Sequence, residues 1–190
     1  MATTTTSFND IRQDFDTYVG NINYATMVTV DSAGRPRARI LIPVWEVIDG
    51  KPLGWLATYR TPVKAAHLAT NPNTTFSYWT QRQNAVHADA VAQWVPLDDL
   101  TTRQHVWDLY QRTSPTGAGY PLGQFWQGIH DPKLHVLRLA PWRIQVIRGS
   151  DLRSTMWTSE EGPPQPLVDS GLSVRHRAAD DRVTTYPPTR

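Results

Sequence analysis

The chain has 190 residues, with 19 Lys and Arg against 17 Asp and Glu, a formal net charge of +2 and no cysteine. That length is one domain's worth, and a chain of this size buries about 70% of its unfolded surface, enough for a core without metal or disulfide staples. The missing thiols exclude disulfides, thiolate nucleophiles, Cys-ligated zinc and iron–sulfur sites, and the near balance of charge leaves a weak electrostatic footprint for nucleic acid.

In chain order, Met1-Ala2 and four Thr lack the basic start and apolar centre of a secretory signal. The longest apolar runs, such as Ile40–Trp45, fall far short of the ~20 residues of a membrane span. A soluble, cytoplasmic protein is the expectation. Residues 8–19 set Phe8, Ile11, Phe15 and Tyr18 at helical spacing with polar residues between, the pattern of an amphipathic helix. The period then changes to two. Residues 25–31 read as a strand, Asp31–Gly34 as a turn, and residues 37–48 as a second strand. Asp49-Gly50 is a hairpin signal, with Leu53–Tyr59 as the returning strand. These three strands are expected to follow one another as an antiparallel meander.

Thr61-Pro62 reads as a helix start, with Pro at the first helical position, and Asn71-Pro72 as its stop. Strands are expected at 74–80 and 86–95. Residues 98–112 return to helical period with Asp98 and Asp99 at the positive end of the helix dipole. Residues 113–133 are rich in Pro and Gly but carry Tyr120, Phe125 and Trp126, and a loop that long is usually functional or an interface arm. Leu134–Leu139 and Trp142–Ile147 give the last strand, with Ala140-Pro141 as a bulge or break. The resulting domain spans residues 1–157, and 158–190 reads as a C-terminal tail or arm. The fold class is mainly β (α+β): a small barrel of six strands with short helical inserts.

One segment carries chemistry. A strand ends at Ala57-Thr58 and a helix begins just beyond Thr61, with Lys64 in its first turn. A helix N-terminus presents free N–H groups and partial positive charge, which suits an anion. Lys64 adds a full charge, Thr58 and Thr61 add hydroxyls, and Arg39 lies on a preceding strand. Only three of the cations are Lys (Lys51, Lys64 and Lys133), so each stands out. The plain alternative is a capped helix with a solvated Lys.

The order of Thr26–Asp31, Gly34-Arg35-Pro36, Arg39–Ile42, Leu56–Thr58 and Thr61–Pro72, closing in Leu68-Ala69-Thr70-Asn71-Pro72, resembles the pyridoxamine 5′-phosphate oxidase-like flavin-binding family. The likeness runs over roughly residues 20–150. It implies an antiparallel split β-barrel with flavin mononucleotide (FMN) in two clefts between the subunits of a homodimer. Carried over by residue, Arg39, Ile40, Leu41, Ile42 and Pro43 would line the cofactor. Ala57, Thr58 and Thr61 would meet the ribityl phosphate, Val63 would flank it, and Lys64 would neutralise it. The implied activity is that of a flavin-dependent oxidoreductase acting on a small molecule. Three departures speak against oxidation of pyridoxamine phosphate itself. Val63 stands where the oxidases carry a second cation, and Ala85 where they place a Gln. The sequence after Gly149 lacks their Arg-Leu-His-Asp-Arg-like ending.

Deazaflavin, or haem in a binding role, is the alternative on the same barrel. A β-barrel binding single-stranded nucleic acid through aromatics and Arg is the other, although no recognition helix or RNP-like sequence accompanies the Arg-rich stretches. The substrate face would draw on Trp45, Trp55, Tyr59, Trp79 or a partner's 113–133 loop, while core packing is the ordinary use of such aromatics. The six His show no HExxH spacing and no Gly-x-Ser-x-Gly elbow is present. No metal site is expected.

Overall fold

A computed structural model of the protein describes residues 2–113 and 119–164. The first strand, β1 (Ala2–Thr5), leads to helix α1 (Asn9–Ile22), whose buried face carries Ile11 and Phe15 beside Phe8. β2 (Ala25–Val30) turns into β3 (Pro36–Leu41). Asp31 Oδ1 accepts from the N–H groups of Ala33 and Arg35, both at 2.9 Å. Gly34 supplies the left-handed residue of that turn at φ 80°. β4 (Val44–Ile48) and β5 (Lys51–Thr58) form a tight hairpin. Its two turn residues, Asp49 and Gly50, both have positive φ, the geometry that matches strand twist in a two-residue loop.

Helix α2 (Pro62–Thr70), β6 (Asn73–Trp79) and β7 (Ala85–Trp94) follow. Helix α3 (Leu100–Thr113) starts on Asp99, whose carboxylate accepts from Thr102 N–H at 3.0 Å and from its hydroxyl at 2.7 Å. A 3₁₀ turn at Leu122–Gln124, the long β8 (His135–Ile147) and β9 (Ser154–Thr158) complete the described chain.

The nine strands form one sheet in the order β1-β9-β8-β7-β6-β2-β3, with β5 branching from β8 and β4 pairing only with β5. Every pairing is antiparallel except β1 with β9. β3 and β4 each have a single partner, so the barrel stays open between them. That is the split barrel expected from the sequence, with three strands more than expected. The run 37–48 is two strands because pairing breaks at Ile42-Pro43, where Pro cannot donate to a ladder. The first three strands are therefore two hairpin halves on different parts of the sheet, not a continuous meander. β1 and β9 account for the rest. β8 has the expected irregularity: Asp89 faces Arg143 and Ala90 faces Pro141, leaving Trp142 unopposed in a bulge.

One core lies beneath α1, with Phe15, Met27, Leu56, Phe76 and Tyr78 among its buried side chains. Trp45 spans it, edge-on to Phe15 and Phe76, and donates to Tyr78 Oη at 2.8 Å. A second core lies beneath α3 and holds Val44, Trp55, Leu109, Tyr110, Trp126 and Val136. Most Trp residues are thus core residues, while Trp79 is exposed. The segment after β9 is tied by Ser159 N–H to Trp142 O at 2.9 Å and by a Lys51–Glu161 ion pair. The expected tail lies outside the described residues from 165 onward. No helix among the described residues is long and apolar enough to cross a membrane.

Candidate functional site

Three elements meet where β5 ends, α2 begins and β3 runs alongside. Pro62 suits the first helical position, since its fixed φ is helical and its missing N–H costs nothing there. Thr61 precedes it in extended conformation, but its hydroxyl makes no capping bond. The first turn bond runs from Ala65 N–H to Thr61 O at 2.9 Å. The N–H groups of Val63 and Lys64 have no such partner, and the positive end of the helix lies at this opening.

Lys64 is only 2% exposed, and its Nζ donates to Thr58 Oγ1 at 2.5 Å. Burial, and then the nearby Arg39 guanidinium, bring its pKa down to about 8. Arg39 donates from Nη1 to Thr29 Oγ1 on the paired strand at 2.8 Å. Its Nη2 is buried with no partner among the described residues, and burial followed by Arg37 lowers its basicity. Thr29, fully buried, lies 3.0 Å from His67 Nδ1 on α2. Arg37, Arg39, Leu41, Thr58, Thr61 and Lys64 line a cavity of about 470 Å³, with Val63 at its edge. Among the described residues no carboxylate pairs with Arg37, Arg39 or Lys64. Buried cations are ordinarily paired, so this arrangement is complementary to an anion with several acceptor oxygens.

A second recess, about 210 Å³, adjoins the first and shares Leu41, Thr58 and Tyr59 with it. Ile40 and Ile42 form one wall and Ala57 lies beside them. Tyr59, Tyr120, Phe125 and Trp126 form the other. Tyr120 and Phe125 stack at 5.8 Å and 2°, Tyr59 packs on Trp126 at 5.1 Å, and Tyr59 Oη donates to Phe125 O at 3.1 Å. Among the described residues no charged side chain lines this recess. Its wall is held by Tyr110, whose hydroxyl donates to Ile42 O and accepts from Ala57 N–H at 3.1 Å. Burial pushes the Tyr110 phenol well above its usual pKa, so it stays protonated and can make both bonds.

The structure therefore gathers Arg39, Ile40, Leu41, Ile42, Ala57, Thr58, Thr61, Val63 and Lys64 around one continuous groove. Pro43 is not among them: it faces a separate cleft with Asp16, Val19, Trp45 and Arg112. Of the aromatic candidates, Tyr59 reaches the groove, as do Tyr120, Phe125 and Trp126 of this chain's own loop, where a partner's was expected, whereas Trp45 and Trp55 belong to the cores and Trp79 is exposed elsewhere. Sequence reasoning missed Thr29, His67 and Tyr110. Tyr110 sits 68 residues from Ile42, and its position on an apolar helix face gave no hint of a hydrogen-bonding role. Among the described residues no group of three His, Asp or Glu side chains is placed for a metal.

A family model described as Pyridoxamine 5′-phosphate oxidase matches residues 11–148. No curated protein matches the chain in sequence. Among solved structures, one similar chain is a protein related to general stress protein 26 of Bacillus subtilis (pyridoxinephosphate oxidase family), from Clostridium acetobutylicum. It is 14% identical with TM-score 0.61, over 80% of this chain and 96% of that one. Another is a pyridoxamine 5′-phosphate oxidase-related, FMN binding protein from Nostoc punctiforme, 12% identical with TM-score 0.51, over 79% of this chain and 93% of that one. A third is a heme binding protein from Mycobacterium smegmatis, 17% identical with TM-score 0.54, over 76% of this chain and 56% of that one. At these identities the likeness shows the fold.

Proposed function

The chain belongs to the pyridoxamine 5′-phosphate oxidase family, and from that premise we propose that it is an FMN-dependent oxidoreductase acting on a small organic molecule. One observation carries the reading: Lys64 and Arg39 converge on a cavity that holds no carboxylate, with Arg39 Nη2 buried and unpartnered. A phosphate there would accept from the first-turn N–H groups of α2 and from Thr61 Oγ1, beside the charges of Lys64 and Arg39. The adjoining apolar recess suits a flat ring system, so the groove matches a ligand with phosphate at one end and a planar ring at the other.

FMN, when bound, supplies hydride transfer. The protein's own part is to hold, orient and exclude water. Ile40, Leu41 and Ile42 form one wall, fixed by Tyr110, and the Tyr59–Trp126 cluster covers the other side. Among the described residues no His or Met lines either part of the groove, so haem iron would have to draw on a Tyr of the recess such as Tyr24, Tyr59 or Tyr120; the cationic cavity is what favours flavin over haem. Deazaflavin carries a phosphate too and remains the second reading for the cationic part. The chain's departures at Val63, at Ala85 and after Gly149 argue for a substrate other than pyridoxamine phosphate. Around the groove Tyr24 is 60% exposed, Ile40 62%, Tyr59 44% and Phe125 45%. A second copy of the chain covering this apolar rim would complete the site, so the working unit is proposed to be a homodimer.

The test is to load the purified protein with FMN, remove the excess and record its absorbance beside sedimentation. A retained flavin band on a dimer supports the reading. Retention of a deazaflavin with loss of FMN reassigns the cofactor, and retention of neither overturns it.

A further inference from the structure

We propose that His67 is a positioning residue that aims Arg39 at the anion through Thr29, and that it does so only as the neutral imidazole protonated at Nε2. The proposal rests on the anion reading of the Arg39–Lys64 cavity and goes beyond it, because His67 does not line that cavity.

The logic is one of hydrogen-bond supply. A guanidinium can only donate, so Arg39 Nη1 at 2.8 Å takes one lone pair of Thr29 Oγ1. The threonine has a single hydroxyl proton and is fully buried, out of reach of bulk solvent. Among the described residues the group facing that hydroxyl, apart from Arg39, is His67 Nδ1 at 3.0 Å. Nδ1 must therefore accept, which places the ring proton on Nε2. The relay His67–Thr29–Arg39 then has one proton for each bond, and it fixes which face of the guanidinium is used up on Thr29. What is left over is the buried Nη2 without a partner.

Protonating His67 reverses the last step. Nδ1 becomes a donor, the Thr29 hydroxyl loses its acceptor, and the side chain must rotate at the expense of its bond to Arg39. Three cations flank the relay. Lys64 lies one turn earlier on α2, and Arg39 and Arg37 come from β3, while β2, the strand against which α2 packs, carries no ionisable side chain. An anion held by Arg39 thus depends on the protonation state of a residue that need not touch it.

The test compares wild type with His67→Asn, whose Oδ1 can take the place of Nδ1 as an untitratable acceptor, and with His67→Leu, which has none. FMN and, separately, inorganic phosphate are titrated from pH 5.5 to 8.5. The ligand's own protonation is common to all three proteins and cancels in their ratio. At pH 8 the Asn variant is expected to bind like wild type and the Leu variant about fivefold more weakly. Wherever His67 is protonated, wild type should bind about fivefold more weakly than Asn. Parallel profiles for wild type and Asn, with Leu unchanged at pH 8, would overturn the proposal. A second measurement needs no ligand: imidazole ¹⁵N NMR of wild type at pH 8 should show an unprotonated Nδ1, and a protonated Nδ1 overturns the relay. If wild type binds neither FMN nor phosphate, the cavity's function is misread, while the NMR result still decides the relay on its own.

Discussion

Burial, and then Arg39 across the cavity between β3 and α2, hold down the basicity of Lys64, and no carboxylate among the described residues pairs with either cation. Their proximity disfavours the empty protein and favours one that has taken up an anion.

Replacing Lys64 by Met should separate these two effects. The unliganded variant no longer buries a poorly paired ammonium, so it should melt about 4–8 °C higher at pH 7, corresponding to about 2 kcal/mol. FMN affinity should fall about 10- to 100-fold, the range for a lost charge-assisted bond. Thermal melts with and without FMN check both, and a variant that loses stability while keeping FMN affinity contradicts the assignment.

The depressed pKa of Lys64 has a defined sign in the pH dependence of stability. Between about 8 and the unfolded value near 10.5 the unfolded chain holds a proton that the folded chain has released. Stability of the unliganded protein from this group therefore rises with pH across that window and is lowest below it. A bound phosphate favours the charged ammonium, so FMN binding at pH 9 should take up protons. Calorimetry in buffers of different ionisation enthalpy would reveal this, and binding heats independent of buffer would exclude it.

Tyr110→Phe removes the hydroxyl that serves Ile42 O and Ala57 N–H together. Two backbone groups are left without their partner, at a cost of about 2 kcal/mol, read as a melting temperature lower by about 4–8 °C. FMN should also dissociate faster, because the Ile40–Ile42 wall loses its tie to β5. Unchanged stability would mean that water replaces the hydroxyl.

Gly54→Ala tests packing rather than chemistry. An added Cβ would come within 2.6 Å of Trp45 Cζ3, and that ring is held by Phe15, Phe76 and its bond to Tyr78. A loss of about 1–3 kcal/mol is expected in chemical denaturation. No loss would show that the indole moves freely.

The parts of this protein that can be read along the chain are those decided by neighbours in sequence. Asp49-Gly50 specifies its own turn, Thr61-Pro62 its own helix start, and the strand–turn–helix run from Ala57 to Lys64 brings Thr58, Thr61 and Lys64 to the anion end of the groove, where Arg37 and Arg39 join them from β3. What escaped was decided at long range. Ala2 and the three Thr after it carry no alternating pattern of their own and become β1 only because β9 lies beside them. Pro43 sits next to Ile42 in sequence, but the chain changes direction there and turns it into another cleft. Thr29 and His67 are 38 residues apart and meet because α2 packs on β2, a fact that no local spacing encodes.

The anion end of the groove draws all its polar side chains from a single stretch, residues 29–67, whereas the facing aromatic wall comes largely from residues 120–126. Among the described residues Arg39, Thr61 and Lys64 make no hydrogen bond to the later loop, which meets the earlier stretch through Tyr59, bonded to Phe125 O and packed on Trp126. Lineages can therefore remodel what the recess admits while inheriting the same anchor. A designer has the same freedom: libraries confined to residues 120–126 would explore new specificities on an unaltered ligand grip.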